Sequence, residues 1–193
     1  MNSLHFAADA GSVKCLQVLL KEGGEIEKTD LNNRTPFYIA ASKERTLTMG
    51  FLWREGAHVL RGPTPTTNAL TLLENGTASK ENPRLQKITD NLYEYRRTYE
   101  DFFNAARTNN VEVLKETIGE QIKLSQKDEG GLTALHIAAR TSSINVLKFL
   151  IDQGMNVNIR KEDDSEHSAL TESAYWGQRE AAEILIEAGA TVR

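Results

Sequence analysis

Apolar positions in this chain come in short paired blocks. Between Gly130 and Asn158, Ala134, Leu135, Ile137, Ala138 and Ala139 form one block, and Val146, Leu147, Phe149, Leu150 and Ile151 form a second. Both have the spacing of one helix face. Both are shorter than the roughly 12 residues that an isolated helix needs in water, so each must bury its apolar side against a neighbour. The blocks recur. Leu4-His5-Phe6-Ala7-Ala8 repeats Leu135-His136-Ile137-Ala138-Ala139, and Phe37-Tyr38-Ile39-Ala40-Ala41 follows 33 residues after the first copy. Leu135 falls on Leu170 35 residues on and on Phe102 33 residues back. Gly23, Gly56, Gly154 and Gly189 follow the second block in step. A period near 33 with two helices and a glycine-bounded turn predicts a solenoid, in which each repeat buries its core against its neighbours.

Taken in order, the chain predicts Ser3 as the first cap, Gly11 as the end of the first helix, and Val13, Leu16, Val18, Leu19 and Leu20 as the second. Cys15 on that helix is expected to be buried. Asn32-Asn33 marks a turn, Thr35 caps the next helix, and Pro36 takes its first position. Leu47, Met49, Phe51 and Leu52 are core candidates. Leu70, Leu72 and Leu73 fit a first helix that Asn75-Gly76 stops, and Thr77 to Asn82 is polar and expected to be exposed. From Pro83 the pattern changes. Leu85, Ile88, Leu92, Tyr95, Tyr99 and Phe102 run as one stripe with no Gly or Pro through Ala106. This predicts a long helix where a hairpin should fall, with residues 97–99 as the place for any kink, or else two blocks joined by a helical linker. Phe102, Ala105 and Ala106, then Asn109-Asn110, then Val111, Val113, Leu114 and Ile118, resume the period. In the last repeat Ser168 replaces the capping Thr, and Ala181, Ile184, Leu185 and Ile186 build the second helix.

Thr133-Ala134-Leu135-His136 and Thr35-Pro36-Phe37-Tyr38 resemble the Thr-Pro-Leu-His motif of ankyrin repeats, and the resemblance covers nearly the whole chain. It implies an all-α repeat solenoid of about six ankyrin repeats, each a helix–turn–helix with a hairpin loop. The third and fourth are degenerate, with a long helix around 83–107. N-terminal repeats (1–100) and C-terminal repeats (101–193) are expected to form one continuous stack. In the family the motif histidine bonds the backbone of the neighbouring hairpin, which gives His5 and His136 a structural role. The family binds proteins on a concave face of hairpin tips and first helices. By matched position that face would hold Asn32, Asn33, Arg34, Ser42, Lys43, Arg107, Glu129, Arg140, Thr141, Asp163, Asp164, Tyr175 and Trp176. Most of these are expected to be solvated rim. Trp176 either packs on the end of the stack or anchors a partner, as aromatic residues do at hot spots.

Composition narrows the chemistry. A net charge of −4 gives no basic footprint for nucleic acid. One cysteine excludes an intrachain disulfide and argues against a cysteine-based zinc site. No run approaches a membrane span, and no signal peptide is visible, so a cytoplasmic monomer is expected (in a host cytosol if the chain is a delivered effector). No nucleophile elbow, zinc-protease motif or phosphate loop occurs, so neither catalysis, cofactor nor metal is expected. His58 and His167 fall in turns and are expected to be solvated. The acidic run 162–166 lacks the glycine and terminal Glu of a calcium loop. It is a solvated loop or a lure for a basic partner at the C-terminal repeats. Asn33-Arg34-Thr35 and Asn75-Gly76-Thr77 match a glycosylation pattern by chance. The function expected is a protein-interaction scaffold. The alternative is a regulatory or targeting segment of a larger enzyme or of a bacterial effector, since the motif begins abruptly at Met1 and breaks off at Arg193.

Overall fold

The computed structural model describes residues 1–64, 66–75, 82–119, 122–161 and 167–192. Eleven helices and no strands occur among them: α1 (Ser3–Ala10), α2 (Val13–Lys21), α3 (Pro36–Ser42), α4 (Thr46–Arg54), α5 (Ala69–Asn75), α6 (Pro83–Arg107), α7 (Val111–Thr117), α8 (Ala134–Thr141), α9 (Ile144–Asp152), α10 (Ala169–Tyr175) and α11 (Arg179–Glu187). The chain divides into two compact units, Met1–Arg96 and Arg97–Arg193. In the first, α1 packs on α3 and α3 on α5, while α2 packs on α4. In the second, α8 packs on α10, and α9 lies against both α7 and α11. First helices thus stack on first helices and second on second, as the period requires.

Local chemistry explains where these helices start and stop. Thr35 caps α3 by accepting from the Tyr38 N–H (3.2 Å), with Pro36 at the first position, where its missing N–H leaves no bond unmade. Ser168 caps α10 through the Thr171 N–H (3.2 Å). At α1 the cap is Asn2, whose side chain accepts from the His5 N–H, and Ser3 is already helical. Gly11 ends α1 with φ 76°, a conformation that costs a residue without Cβ little. Asn33 and Asn109 turn the chain with φ 58° each.

The polar positions between paired helices form a second set of repeats. Arg45 Nε donates to Asp9 O (3.0 Å), Ser143 Oγ to Arg107 O (3.1 Å) and Gln178 Nε2 to Arg140 O (3.2 Å). Each donor begins one second helix and satisfies a carbonyl near the end of the previous first helix, where intrahelical partners run out. Asn109 acts in the opposite sense. Its Oδ1 accepts from the Asn145 and Val146 N–H groups (2.9 and 3.1 Å), capping α9, which has no side-chain cap of its own.

The stripe from Leu85 to Phe102 forms a single helix. Asn82 Oδ1 accepts from the Arg84 and Leu85 N–H groups, and the helix then runs 25 residues. Leu85, Leu92, Tyr95, Tyr99 and Phe102 are buried, while Ile88 is half-buried. Tyr95 meets Trp53 edge to face at 5.9 Å, and Tyr99 meets Phe103 at 4.9 Å. The Tyr99 hydroxyl, buried with its ring, donates to Lys127 O (3.0 Å). Phe102, Ala105 and Ala106 at the end of α6 keep the register of Leu135, Ala138 and Ala139. A second helix and the next first helix are therefore merged into one. Residues 77–81 lie outside the described residues, and Asn82 is exposed.

Some core expectations need correction. Cys15 is exposed, as are Val18 and Leu47. On α2 the inward side is set by Leu16, Leu19 and Leu20, the outward side by Lys14, Gln17 and Lys21, and residues 15 and 18 lie on the flank between them. On α4 the inward set is Thr48, Met49, Phe51 and Leu52, and Leu47 falls outside it. Ile186 on α11 is likewise exposed, with Ala181 and Leu185 buried beneath.

Candidate partner-binding face

Two hairpin tips show how the loops are built. In the first, Asp30 Oδ1 accepts from the Asn32 and Arg34 N–H groups (both 2.9 Å), and in the second Asp128 Oδ1 accepts from those of Gly130 and Leu132 (both 2.9 Å). His5 and His136 tie such loops to the helices. His5 Nε2 lies 2.9 Å from Arg34 O, and His136 Nε2 lies 3.1 Å from His167 O. A carbonyl only accepts, so Nε2 carries the proton in both. His136 Nδ1 is then free to accept from the Thr133 hydroxyl at 2.8 Å. Burial pushes the His136 pKa down, against the opposing pull of its bond to His167 O, which suits a neutral structural imidazole. The structural role expected of both histidines holds.

The candidate binding residues are not equivalent. Asn32 and Glu129 are exposed on their hairpin tips, and Lys43 is exposed 3.9 Å from Asp9. Arg34 is held within its own hairpin, with Nε and Nη2 donating to Asp30 Oδ2 (2.9 and 2.7 Å). Arg107, exposed at the end of α6, donates to Asn104 Oδ1 (3.1 Å). Asn33 supplies the turn. Ser42 and Thr141 bond back to Ile39 O (2.8 Å) and Ile137 O (2.9 Å). Asp163 and Asp164 lie outside the described residues. Sequence patterning did not single out Leu31, which is fully exposed at the first hairpin tip.

Arg34 holds the Asp30 carboxyl down to about 2, from 3.8, chiefly through the side-chain hydrogen bond. A carboxyl whose pKa is lowered in the fold stabilises it above the unfolded value. That contribution is lost as pH falls from about 4 towards 2. Asp30→Asn should therefore cost on the order of 1 kcal/mol near neutral pH, after allowance for solvent screening. Its deficit against the native chain should close over that acid window. Urea midpoints taken at several pH values check this, and a deficit that persists at pH ~2 refutes it.

Arg140, Tyr175 and Trp176 are brought together. Arg140 lies near the end of α8, Tyr175 ends α10 and Trp176 caps it. The Arg140 guanidinium carbon sits 5.0 Å from the centre of the Trp176 ring, and the two aromatic rings meet edge to face at 5.6 Å. Tyr175 is 77% exposed and Trp176 50%. Beneath them lies a residue that sequence reasoning passed over. Glu172 is buried, with one carboxylate oxygen 3.3 Å from Arg140 Nε and the other 3.4 Å from His167 Nδ1. His167 is thus half-buried beside a carboxylate rather than freely solvated. His58 is half-buried too, and its backbone N–H donates to Glu27 Oε1 (2.7 Å). The signal for Glu172 was present: its register position holds Ile39 and Ile137 in other repeats, and a carboxylate at an apolar position needs a counter-charge.

No helix among the described residues is long and apolar enough to cross a membrane, and no cluster of three or more metal-ligating side chains occurs among them. Comparison with known proteins places this architecture. A family profile described as ankyrin repeats (3 copies) matches residues 102–193, and one described as ankyrin repeats (many copies) matches residues 4–49. Residues between these matches include α5 and most of α6, where the pattern departs. Rabankyrin-5 of Mus musculus and of Homo sapiens is 26% identical over 194 residues, 98% of this chain but 14% of its own length. Protein phosphatase 1 regulatory subunit 12A of Mus musculus is 42% identical over 59 residues, 31% of this chain and 6% of its own. An L-asparaginase of Dirofilaria immitis is 31% identical over 86 residues, 45% of this chain and 14% of its own. Repeats of this kind generally mediate protein–protein interaction. Matched by these profiles over more than half its length, and with the histidine-to-hairpin bonds and stacked helix pairs in place, the chain belongs to the ankyrin-repeat family.

Proposed function

We propose that this chain is a non-catalytic protein-binding module whose partner engages the concave ankyrin face on the C-terminal repeats. The observation that carries this is the exposed Tyr175–Trp176 pair, held against Arg140. A tryptophan half in solvent, with its guanidinium neighbour fixed, offers a partner apolar area at little ordering cost. Trp176→Ala should cost about 2 kcal/mol or more in affinity for that partner while leaving the melting temperature almost unchanged. Quantitative pull-down from lysate with both forms, followed by titration of the retained protein, checks this. If Trp176→Ala lowers the melting temperature and leaves binding intact, the ring belongs to the stack, and the face must be sought on the N-terminal repeats.

A second reading places the same face in a regulatory or targeting segment of a longer protein. It is favoured by the short span of this chain on rabankyrin-5 and on the phosphatase regulatory subunit. An open reading frame extending past residue 193 or upstream of residue 1 supports it, and a gene bounded at both ends removes it.

A further inference from the structure

Arg140 is placed more firmly than a solvated arginine. Its Nε is buried with no hydrogen-bond partner, held by charge 3.3 Å from the Glu172 carboxylate, while its side chain as a whole remains 40% exposed. The side chain therefore keeps its contact with solvent away from Nε. Among the described residues nothing accepts a hydrogen bond from Nη1 or Nη2. Trp176 lies against the guanidinium on one face, and the Glu172 carboxylate pairs with it by charge at its Nε edge. Glu172 is itself buried and also faces His167, so the group that this spot presents to solvent is the cation. A flat fork of donors, already oriented, is the arrangement that recognises a carboxylate in two parallel bonds. Beside it the exposed faces of Tyr175 and Trp176 offer an apolar shelf.

We infer that Arg140, Tyr175 and Trp176 form a carboxylate-recognition site for an acidic segment of a partner protein. An Asp or Glu side chain of the partner accepts from the Nη groups of Arg140. A neighbouring aromatic or aliphatic side chain of the partner lies on Tyr175 and Trp176. This rests on the protein-binding reading of the same face and adds the chemistry of the partner. Glu172 is a positioning residue here, acting through Arg140. The acidic sequence 162–166 argues for the opposite partner, a basic one, so a test can separate the two.

The test uses the intact 193-residue chain and a phage-displayed library of random dodecapeptides. Enriched peptides are synthesised with a fluorophore and titrated by anisotropy against four forms. These are the native chain, Trp176→Ala, Arg140→Lys, and the double variant Arg140→Gln with Glu172→Gln, which leaves no buried carboxylate unpaired. Melting temperatures confirm folding. Enriched peptides should carry Asp or Glu next to an aromatic or aliphatic residue. Replacing that acid by its amide should weaken binding roughly 10- to 100-fold, the scale of hydrogen bonds to a charged group. Arg140→Lys should lose a similar factor, because an ammonium cannot match the two-bond geometry. Lys- and Arg-rich peptides that bind Arg140→Lys and the native chain alike, yet are lost with Trp176→Ala, overturn carboxylate recognition and leave the binding face standing. Peptides that bind all four forms equally overturn both, and a library yielding no enrichment overturns the site.

Discussion

Tyr95→Pro should destabilise the chain by about 3 kcal/mol or more, the largest single effect expected of any substitution described above. Proline at this position removes the N–H that bonds to the carbonyl of Asn91 and drives its ring into the preceding turn. It also deletes a buried ring that meets Trp53 edge to face. Two controls separate these costs. Asn91→Pro sits on the exposed side of α6 and carries only the backbone penalty, about 3 kcal/mol. Tyr95→Ala keeps the backbone and loses only the ring, also about 3 kcal/mol by analogy with other buried aromatics. Urea midpoints order the three variants, with Tyr95→Pro lowest. A change below ~1 kcal/mol for Asn91→Pro would mean that α6 is broken near that turn, as an ordinary hairpin would require.

That helix shows what the sequence could and could not convey. The stripe from Leu85 to Phe102 was legible because six large apolar residues keep strict 3-and-4 spacing, with nothing to stop a helix. The opening at Pro83 follows a local rule that needs no tertiary information, whereas Asn82, the cap, reads in the sequence only as the end of a polar segment. The histidine bonds were legible for a different reason. They recur with the family motif, so the resemblance supplied a partner some 30 residues away that spacing alone cannot identify. What failed was the choice of side within short helices. α2 carries Val13, Cys15, Leu16, Val18, Leu19 and Leu20 against a polar side of Lys14, Gln17 and Lys21, and Cys15 and Val18 lie on the flank between the two, where apolar character alone does not say which residues are covered. Packing against α1 and α4 selected Leu16, leaving Cys15 and Val18 outside.

The candidate face was legible as a set of positions and not as a set of interactions. Matched register placed Arg140 and Trp176 on neighbouring first helices, and their contact follows from the packing of α8 on α10. Arg34 stood at an equally plausible position, yet the carboxylate four residues earlier in its hairpin holds it. The difference lies in where each arginine finds its counter-charge. Asp30 is local and binds Arg34 within one loop. Glu172 belongs to the next repeat and fixes Arg140 at the boundary between two helices. A partner that used Arg140 as proposed would meet a group that folding has already placed, which lowers the ordering cost of binding.

Leu135→Ala should destabilise the chain by roughly 2–5 kcal/mol, and comparison with two other leucines makes the cause testable. Leu135 is fully buried in α8, which packs on both α9 and α10. Truncation removes methyl groups from a closely packed site and leaves a cavity that flanking helices on two sides cannot easily close. Leu170 occupies the matched position in the next repeat but is only half-buried. Less apolar area returns to water there, so Leu170→Ala should cost roughly half as much. Leu47 reads as core in the sequence and is exposed on α4, so Leu47→Ala should stay within about 0.5 kcal/mol of the native chain. Urea denaturation of the three variants should give that order. If Leu170→Ala matched Leu135→Ala, repeat position rather than burial would set the cost, and the last pair of helices would be packed as tightly as the pair before it.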